Sequence, residues 1–248
     1  MSYKEREKSI LDYLMEHKTA TICELCSVFF VSEPTMRRDL RKLSESGKII
    51  RSYGSATYRA ELCTNLPHHL REREHSKEKL LIAARALELI RDGDTVMIDA
   101  SSTAHELIQM LPEKKSVILI TNNAKAPLTL SQSEVKTFVC GGELEPNTYA
   151  YIGSYAEEFF RSFNADICFF SIRTLTRDGL LTDNAVYENA IRKIMLSRSR
   201  KKVLLMDSEK IGEACVSTLS SLDGIDYIIC EKDISILYPL YKNKFILA

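Results

Sequence analysis

The sequence predicts a two-domain α/β protein, in which a small helical domain with a β-hairpin precedes a larger domain built on a parallel β-sheet. Its 248 residues exceed the length of one typical domain, which is about 150 residues. Helical periodicity dominates the start of the chain, and short apolar runs alternate with helices from residue 77 onward. Residues 59–76 break both patterns and include Pro67. We therefore expect domains at 1–58 and 77–248, joined by a linker at 59–76.

Composition excludes several classes of protein. With 45% hydrophobic and 27% charged residues, the chain matches an ordinary globular protein. No apolar run approaches the roughly 18 residues that cross a bilayer, and the charged N-terminus lacks a secretory apolar region. We expect a cytoplasmic protein without a membrane partner. The 7 cysteines are scattered and the CxxC of Cys23 and Cys26 lacks a second pair, so we expect buried free thiols and no zinc.

The first domain is predicted to contain three helices and a hairpin. Apolar residues repeat at helical spacing over about 3–17, 22–30 and 33–46. Thr21 and Ser32 are good N-caps for the second and third helices, and Gly47 is a good stop for the third. The run KIIRSYGSATYR then gives two short β-prone segments. Two short helices, a tight turn and a hairpin form a winged helix-turn-helix, in which the third helix of the domain enters the DNA major groove.

The periodicity of the third helix indicates which of its faces meets DNA. Met36, Leu40 and Leu43 form an apolar stripe that must face the core, so the opposite face is polar. The total net charge is zero, yet residues 32–60 carry seven basic and three acidic side chains. A basic helix face can simply be solvated, but the complete arrangement favours double-stranded DNA as partner. The polar face and its flanks carry Pro34, Thr35, Arg37, Arg38, Arg41, Lys42 and Glu45.

The N-terminal end of such a helix normally reaches the base edges. Arg38 can donate two hydrogen bonds to guanine, and Pro34 and Thr35 can touch a thymine methyl group. Arg37 is next in line. The expected phosphate contacts are made by Arg41, Lys42, Lys48 and Arg51.

The second domain is predicted to be a Rossmann-like parallel α/β domain, because its apolar runs are short and separated by helices. Strands are expected near 95–99, 116–121, 135–140, 166–172 and 201–207, with a final strand near 226–230. Helices are expected near 77–91, 103–111, 124–131, 154–162 and 184–200. Ligands of such sheets bind at the carboxyl ends of the strands. These ends carry Asp99-Ala100-Ser101-Ser102-Thr103, Thr121-Asn122-Asn123, Gly141-Gly142-Glu143, Ser171-Ile172-Arg173 and Asp207-Ser208-Glu209-Lys210.

These strand ends have groups suited to a small polar ligand. The run from Ser101 to Thr103 offers hydroxyls beside a helix N-terminus, which suits a phosphate. Asp99, Asn122 and Asp207 can bind sugar hydroxyls, and Lys210 can meet a phosphate. Each residue alone is more often a helix cap or a turn former, but the clustering favours a ligand.

The segment SEPTMRRDLRKLSESGKIIRSYGSA resembles the helix-turn-helix signature of the DeoR family of transcriptional regulators. Its wing has Ser55 where that family usually has a second glycine. The matching residues are Ser32, Thr35, Arg37, Arg38, Asp39 and Leu40. With the wing, the expected DNA-binding residues are Ser32, Pro34, Thr35, Arg37, Arg38, Arg41, Lys42, Lys48, Arg51 and Tyr53.

The second domain resembles the effector domain of the same family, which is similar in fold to ribose-5-phosphate isomerase and glucosamine-6-phosphate deaminase and senses phosphorylated sugars. Gly153 also falls on a family motif. Ser101 and Ser171 stand where glycines are usual, and both narrow the space near the backbone. The expected effector-binding residues are Asp99, Ser101, Ser102, Thr103, Thr121, Asn122, Gly141, Gly142, Asp207 and Lys210.

Three hypotheses for function follow. The first is a DNA-binding regulator of a sugar-metabolism operon, most often a repressor in this family, controlled by a phosphorylated sugar and acting as a homodimer or homotetramer. The second is a sugar-phosphate isomerase or deaminase with a DNA-binding appendage. Its candidate bases are Asp99, Glu143 and Asp207. The related isomerases have an acidic motif after the fourth strand, and this chain has SIRTLT in its place. The third is an interaction module without a working pocket. We assign no catalytic residue, metal or cofactor.

Overall fold

The computed structural model of the chain describes residues 3–45, 49–52, 54–58 and 74–248. The chain divides into two compact units, Met1–Leu66 and Pro67–Ala248. The expected contact residues Lys48 and Tyr53, the stop at Gly47 and most of the expected linker lie outside the described residues. The domain boundaries at 58 and 77 stay a prediction.

The first unit is a three-helix domain with a small antiparallel sheet. The three helices and the hairpin agree with the prediction, and a third strand, β1 (Thr19–Thr21), precedes the second helix. This strand was not predicted, because three residues are too few to show an alternating pattern. The strands lie in the order β1-β3-β2. The elements are α1 (Tyr3–His17), β1 (Thr19–Thr21), α2 (Ile22–Phe29), α3 (Glu33–Glu45), β2 (Ile49–Ser52) and β3 (Ser55–Tyr58).

Local hydrogen bonds set the ends of α2 and α3. Thr21 and Glu24 form a reciprocal capping box at the start of α2. That helix ends at Phe30, whose backbone is left-handed and whose N–H donates to the carbonyl of Cys26. Ser32 starts α3 as predicted, since its carbonyl accepts from the N–H of Met36 at 3.0 Å.

The predicted inward face of α3 is confirmed. Met36, Leu40 and Leu43 are completely buried. They share the core of the unit with α1, α2 and the sheet. The other large members of this core among the described residues are Ile10, Leu11, Leu14, Ile22, Leu25, Ile49 and Tyr58.

The second unit contains a seven-stranded parallel sheet in the order β15-β14-β12-β9-β4-β5-β6. Its strands are β4 (Thr95–Ile98), β5 (Ile118–Thr121), β6 (Lys136–Val139), β9 (Ala165–Phe170), β12 (Ser199–Leu205), β14 (Tyr227–Cys230) and β15 (Phe245–Leu247). The helices are α4 (Ser76–Leu87), α5 (Ser102–Met110), α6 (Ala126–Thr129), α7 (Ser154–Arg161) and α8 (Val186–Arg198).

Some predictions for this unit were wrong. The strand near 226–230 is followed by β15, so it is not the last one. The helix expected at 124–131 shortens to four residues, because Asn123 and Lys125 form a turn before it. Two small antiparallel sheets were not expected. They consist of β7 (Glu143–Glu145) with β8 (Ala150–Ile152), and of β10 (Thr174–Leu175), β11 (Leu180–Asp183) and β13 (Ser217–Ser221).

Helices cover both faces of the parallel sheet. Two successive residues of β9 show the two faces, since Phe169 packs in the core with α4, α5 and α6 and Phe170 packs in the core with α7 and α8. Chain order reverses between β4 and β9, which start the two halves of the sheet. Such a switch point opens a crevice at the carboxyl ends of the two strands. Asp99 and Ser171 follow these two strands.

The cysteines are less uniformly buried than expected. Cys140, Cys168 and Cys230 are buried free thiols, and burial raises the pKa of each to about 12. Cys23 is exposed because it lies on the outer side of α2, and Cys26 is half-buried. Among the described residues, no helix is both long and apolar enough to cross a bilayer.

Gly142 has a backbone conformation that only glycine tolerates well. Its neighbour Gly141 has no such conformation. Gly142 has φ +129°, and a Cβ atom there would lie 2.6 Å from the carbonyl oxygen of Ile152. Gly142→Ala should therefore lower the free energy of unfolding by about 2 kcal/mol or more. Gly141→Ala is the control, because a Cβ atom there meets no described atom within 4 Å. Urea unfolding measures both, and equal effects would contradict the assignment.

Candidate DNA interface and effector site

The expected DNA-binding residues within the described part of the first unit lie on its surface. Arg41 and Lys42 on α3 and Arg51 on β2 are exposed, as phosphate contacts must be. The other described candidates for DNA binding lie in the N-terminal half of α3 or directly before this helix. Ser32, Pro34, Arg37 and Arg38 are exposed and Thr35 is half-buried.

The two arginines at the N-terminal half of α3 differ in their contacts. Arg37 pairs with Glu33 one turn earlier, at 2.6 Å from Nη2 to Oε1. The side chain of Arg38 is 63% exposed, and its Nε lies 4.0 Å from Oδ1 of Asp39. Arg38 is therefore better placed than Arg37 to make new hydrogen bonds to a base.

A buried ion pair joins α1 to α3. Nε of Arg6 donates to Oδ2 of Asp39 at 2.6 Å, and the carboxylate is completely buried. The sequence showed Asp39 only as part of the family signature. No sequence pattern indicated a role for Arg6, because its partner lies 33 residues away in the chain. The pair fixes the helix that carries Arg38.

Asp99 is the most connected of the expected effector residues. It is buried at the end of β4, and its Oδ1 accepts from the N–H and the hydroxyl of Ser101 at 3.1 and 2.6 Å. Its Oδ2 accepts from Nε of Arg192 at 2.8 Å. Both oxygens are thus engaged within the protein.

Arg192 was not among the predicted site residues, yet it bonds Asp99 to other parts of the second unit. Its guanidinium also donates to Asp183 at 2.9 Å and to Glu188 at 3.0 Å. The side chain is almost wholly buried, which lowers its pKa, but attraction to Asp99, Asp183 and Glu188 outweighs burial and the pKa is raised. In the sequence it looked like any charged residue of an amphipathic helix.

Ser101 acts as a helix cap. Its hydroxyl accepts from the N–H of Ala104 at 3.3 Å while donating to Asp99. This serine hydroxyl is therefore engaged in the fold, whereas it was expected to face a phosphate. Ser102 and Thr103 follow it in the first turn of α5, and both are buried.

Two buried oxygen atoms near the ends of β4 and β5 make no hydrogen bond with any described residue. They are Oγ1 of Thr103 and Oδ1 of Asn122. The amide nitrogen of Asn122 is engaged, since it donates to the carbonyl of Tyr151 at 3.2 Å. Leaving such an atom unpaired costs about 1–3 kcal/mol. The neighbouring Thr121 is fully engaged, because its hydroxyl donates to the carbonyl of Ile98 at 2.6 Å.

Lys210 is held beside the switch point. Its Nζ donates to the hydroxyl of Ser171 at 2.6 Å, and that hydroxyl donates to the carbonyl of Leu205 at 2.6 Å. Oδ2 of Asp207 lies 3.9 Å from the same Nζ. Ser171 therefore positions a cation at the end of β9.

The structure thus brings some expected effector residues together and leaves others apart. Asp99 is linked to Ser171, whose N–H lies 3.5 Å from Oδ2, and through it to Lys210. Gly141 and Gly142 are exposed and follow β6, two strands away from β4.

Fold and site together define a class of protein. A winged helix-turn-helix with an exposed basic helix is joined in one chain to a doubly wound sheet with polar strand ends, as in DNA-binding regulators with a ligand-sensing domain. Residues 6–61 match the DeoR-like helix-turn-helix domain, and residues 74–232 match the DeoR C terminal sensor domain. The chain therefore belongs to the DeoR family of transcriptional regulators.

Curated relatives match along nearly the whole chain. The L-fucose operon activator of Escherichia coli K12 is 30% identical, over 92% of this chain and 94% of its own length. The regulator IolR of Bacillus subtilis is 29% identical, over 96% of this chain and 95% of its own. Among solved structures, ribose 5-phosphate isomerase A from Methanocaldococcus jannaschii has a TM-score of 0.43 at 19% identity, covering 56% of this chain and 55% of that one.

Removal of the Arg192 charge should destabilise the second unit in a pH-dependent way. Arg192→Gln leaves three buried carboxylates without their cation, so the free energy of unfolding should fall by about 3–5 kcal/mol at pH 7. Burial raises the pKa of Asp183, but the attraction of Arg192 outweighs burial and lowers the pKa below its ordinary value. The wild type therefore keeps this stability down to about pH 4, whereas the buried Asp183 of the variant, without its cation, takes up a proton at higher pH.

The deficit of Arg192→Gln relative to wild type should thus shrink between pH 7 and pH 4 in urea unfolding. Arg200→Gln is the control, because Arg200 is 85% exposed and its contact with Asp166 spans 3.4 Å. A deficit that is the same at both pH values would refute the ion-pair network.

Proposed function

We propose that this chain is a repressor of a sugar-metabolism operon, which binds its operator through α3 and releases it when a phosphorylated sugar binds at the strand ends of the second unit. One observation carries the proposal. The first unit presents an exposed basic helix, and the strand ends of the second carry buried oxygen atoms that the described groups leave unpaired and a lysine that is held by Ser171. The location that fits DNA and sugar phosphates is the cytoplasm.

DNA reading is assigned to the N-terminal half of α3. Arg38 reads a base edge, and Pro34 and Thr35 contact the same edge of the groove. Arg41, Lys42 and Arg51 bind phosphates. One such domain makes few contacts, so the operator is bound by a homodimer or homotetramer with repeated half-sites.

The phosphorylated sugar is assigned to the ends of β4, β5 and β9. Backbone N–H groups at the start of α5 and the ammonium of Lys210 supply the positive charge that a phosphate needs. Thr103 and Asn122 offer oxygen atoms that can bond sugar hydroxyls. The names of two relatives, an L-fucose operon activator and a transcriptional repressor, agree with control of sugar metabolism and with either sign of regulation. The family resemblance favours repression.

Sugar-phosphate isomerisation is the alternative function. It requires a carboxylate that can accept a proton from the substrate. Asp99 is poorly suited to this role, because both of its oxygens already accept hydrogen bonds from Ser101 and Arg192. Asp207 is buried, and its Oδ2 already faces the ammonium of Lys210 at 3.9 Å. We therefore propose binding without turnover.

Two substitutions on α3 should separate base reading from phosphate contact. Arg38→Ala should weaken binding to the specific site by about 1–3 kcal/mol and relax base preference at one position. Lys42→Ala should weaken all sequences alike and reduce the slope of log affinity against log salt by about one. Fluorescence titration with selected and random duplexes tests both. Equal losses on the two duplexes for Arg38→Ala would disprove its base-reading role.

Two substitutions in the second unit should weaken the response to sugar phosphates. At about 100 times its dissociation constant, the effector should stabilise the wild type by about 2.7 kcal/mol. Lys210→Ala removes the cation and Ser102→Ala removes a hydroxyl from the proposed phosphate site, so the rise in melting temperature and the operator release should both shrink. Operator binding without effector should stay intact in both variants.

Pentose and hexose phosphates are tested as effectors in both measurements, with the unphosphorylated sugars as controls. Unchanged release in both variants would place the ligand elsewhere. No response of the wild type to any phosphate would favour the third hypothesis, an interaction module. Turnover of a sugar phosphate that Asp207→Asn abolishes would establish the enzyme.

A further inference from the structure

Phe30 combines two unfavourable features in the turn between α2 and α3. Its side chain is 94% exposed, the largest value among the large apolar residues of the described part of the chain. Its backbone has φ 52°, in the left-handed region where glycine or asparagine usually ends a helix and a bulky aromatic residue is strained. The turn itself does not need the ring, because the N–H bond to the carbonyl of Cys26 forms with any residue except proline.

The position of this residue relates it to DNA. Phe30 lies four residues before Pro34, and an extended chain spans at most about 3.6 Å per residue, so the two Cα atoms are within about 14 Å. The major groove is about 12 Å wide. With α3 in the groove, this distance puts Phe30 within reach of the deoxyribose and phosphate that form the groove wall.

The turn holds Phe30 in a fixed place. The N–H of Val31 donates to Cys26 at 3.2 Å, and the carbonyl of Ser32 accepts from Met36 at 3.0 Å. The residue is therefore anchored on both sides, by the last turn of α2 and by the first turn of α3. With the backbone anchored, only the two side-chain torsions of the exposed ring have to be ordered on binding.

We propose that Phe30 is a DNA-contact residue, whose ring packs on the apolar face of a deoxyribose or on a thymine methyl group at the edge of the groove that α3 occupies. The inference rests on the proposed docking of α3. Since the ring carries no charge, its contact adds affinity that does not depend on salt, in contrast to the contacts of Arg41 and Lys42.

The test uses the full chain and a duplex that the wild type selects from a randomised pool. Phe30→Gly should lower affinity for this duplex by about tenfold, the scale of one apolar or base-edge contact. Its salt slope should equal that of the wild type, and its melting temperature should stay the same or rise, because the backbone strain is relieved. Phe30→Asn, which also tolerates the left-handed backbone, should repeat the loss, and Phe30→Tyr should keep the affinity.

Two further variants serve as controls. Tyr155→Ala removes another exposed aromatic ring, in the second unit, and should leave affinity unchanged. Arg38→Ala tests the docking of α3 itself. If it weakens binding while Phe30→Gly does not, the Phe30 inference is wrong and the docking stands. If neither variant weakens binding, the docking is wrong as well.

Sedimentation separates DNA contact from protein contact. Phe30→Gly should sediment as the wild type does. A variant that binds DNA normally but self-associates less would assign the ring to a contact between protein chains and overturn the proposal.

Discussion

Arg192 donates hydrogen bonds to three carboxylates from inside the second unit, and these carboxylates come from three separate pieces of structure. Asp99 follows strand β4 of the parallel sheet, Asp183 ends β11 of a small antiparallel sheet, and Glu188 lies on α8 with Arg192. A buried charge without its partner costs several kcal/mol, so each piece is needed to hold the others. The carboxyl end of β4 is thereby fixed.

This ion-pair network separates supporting groups from groups that are open to a ligand. Asp99 and Ser101 bond to each other and to the frame, so they set the position of the loop that starts α5. Thr103 and Asn122 have oxygen atoms that the described protein groups leave unpaired. Binding sites work best when the contact residues are held by a rigid surrounding layer. In the first unit, the buried pair of Arg6 and Asp39 supports α3 in the same way.

The sequence predicted the elements whose patterns are long enough to read. Helical periodicity located α3 and its inward face, and apolar runs located most of the parallel strands. It missed β1 and β15, because three-residue strands show no pattern. It missed Arg192, because a charged residue in an amphipathic helix looks the same whether it is buried or solvated. From the sequence, Ser171 was expected to narrow the space for a ligand near the backbone. In the structure, its hydroxyl accepts a hydrogen bond from Lys210, which lies 39 residues away, and no local sequence pattern shows this contact.

Hydrogen exchange of the full chain with and without a sugar phosphate that releases operator DNA tests the central claim most directly. Binding at the strand ends should slow the exchange of backbone amides in residues 99–104, 121–124 and 207–210, and the unphosphorylated sugar should not. In the first turn of α5, the exchange should slow because the backbone N–H groups donate hydrogen bonds to the ligand. Release of the operator without any change in these three segments would contradict the assignment of the effector site.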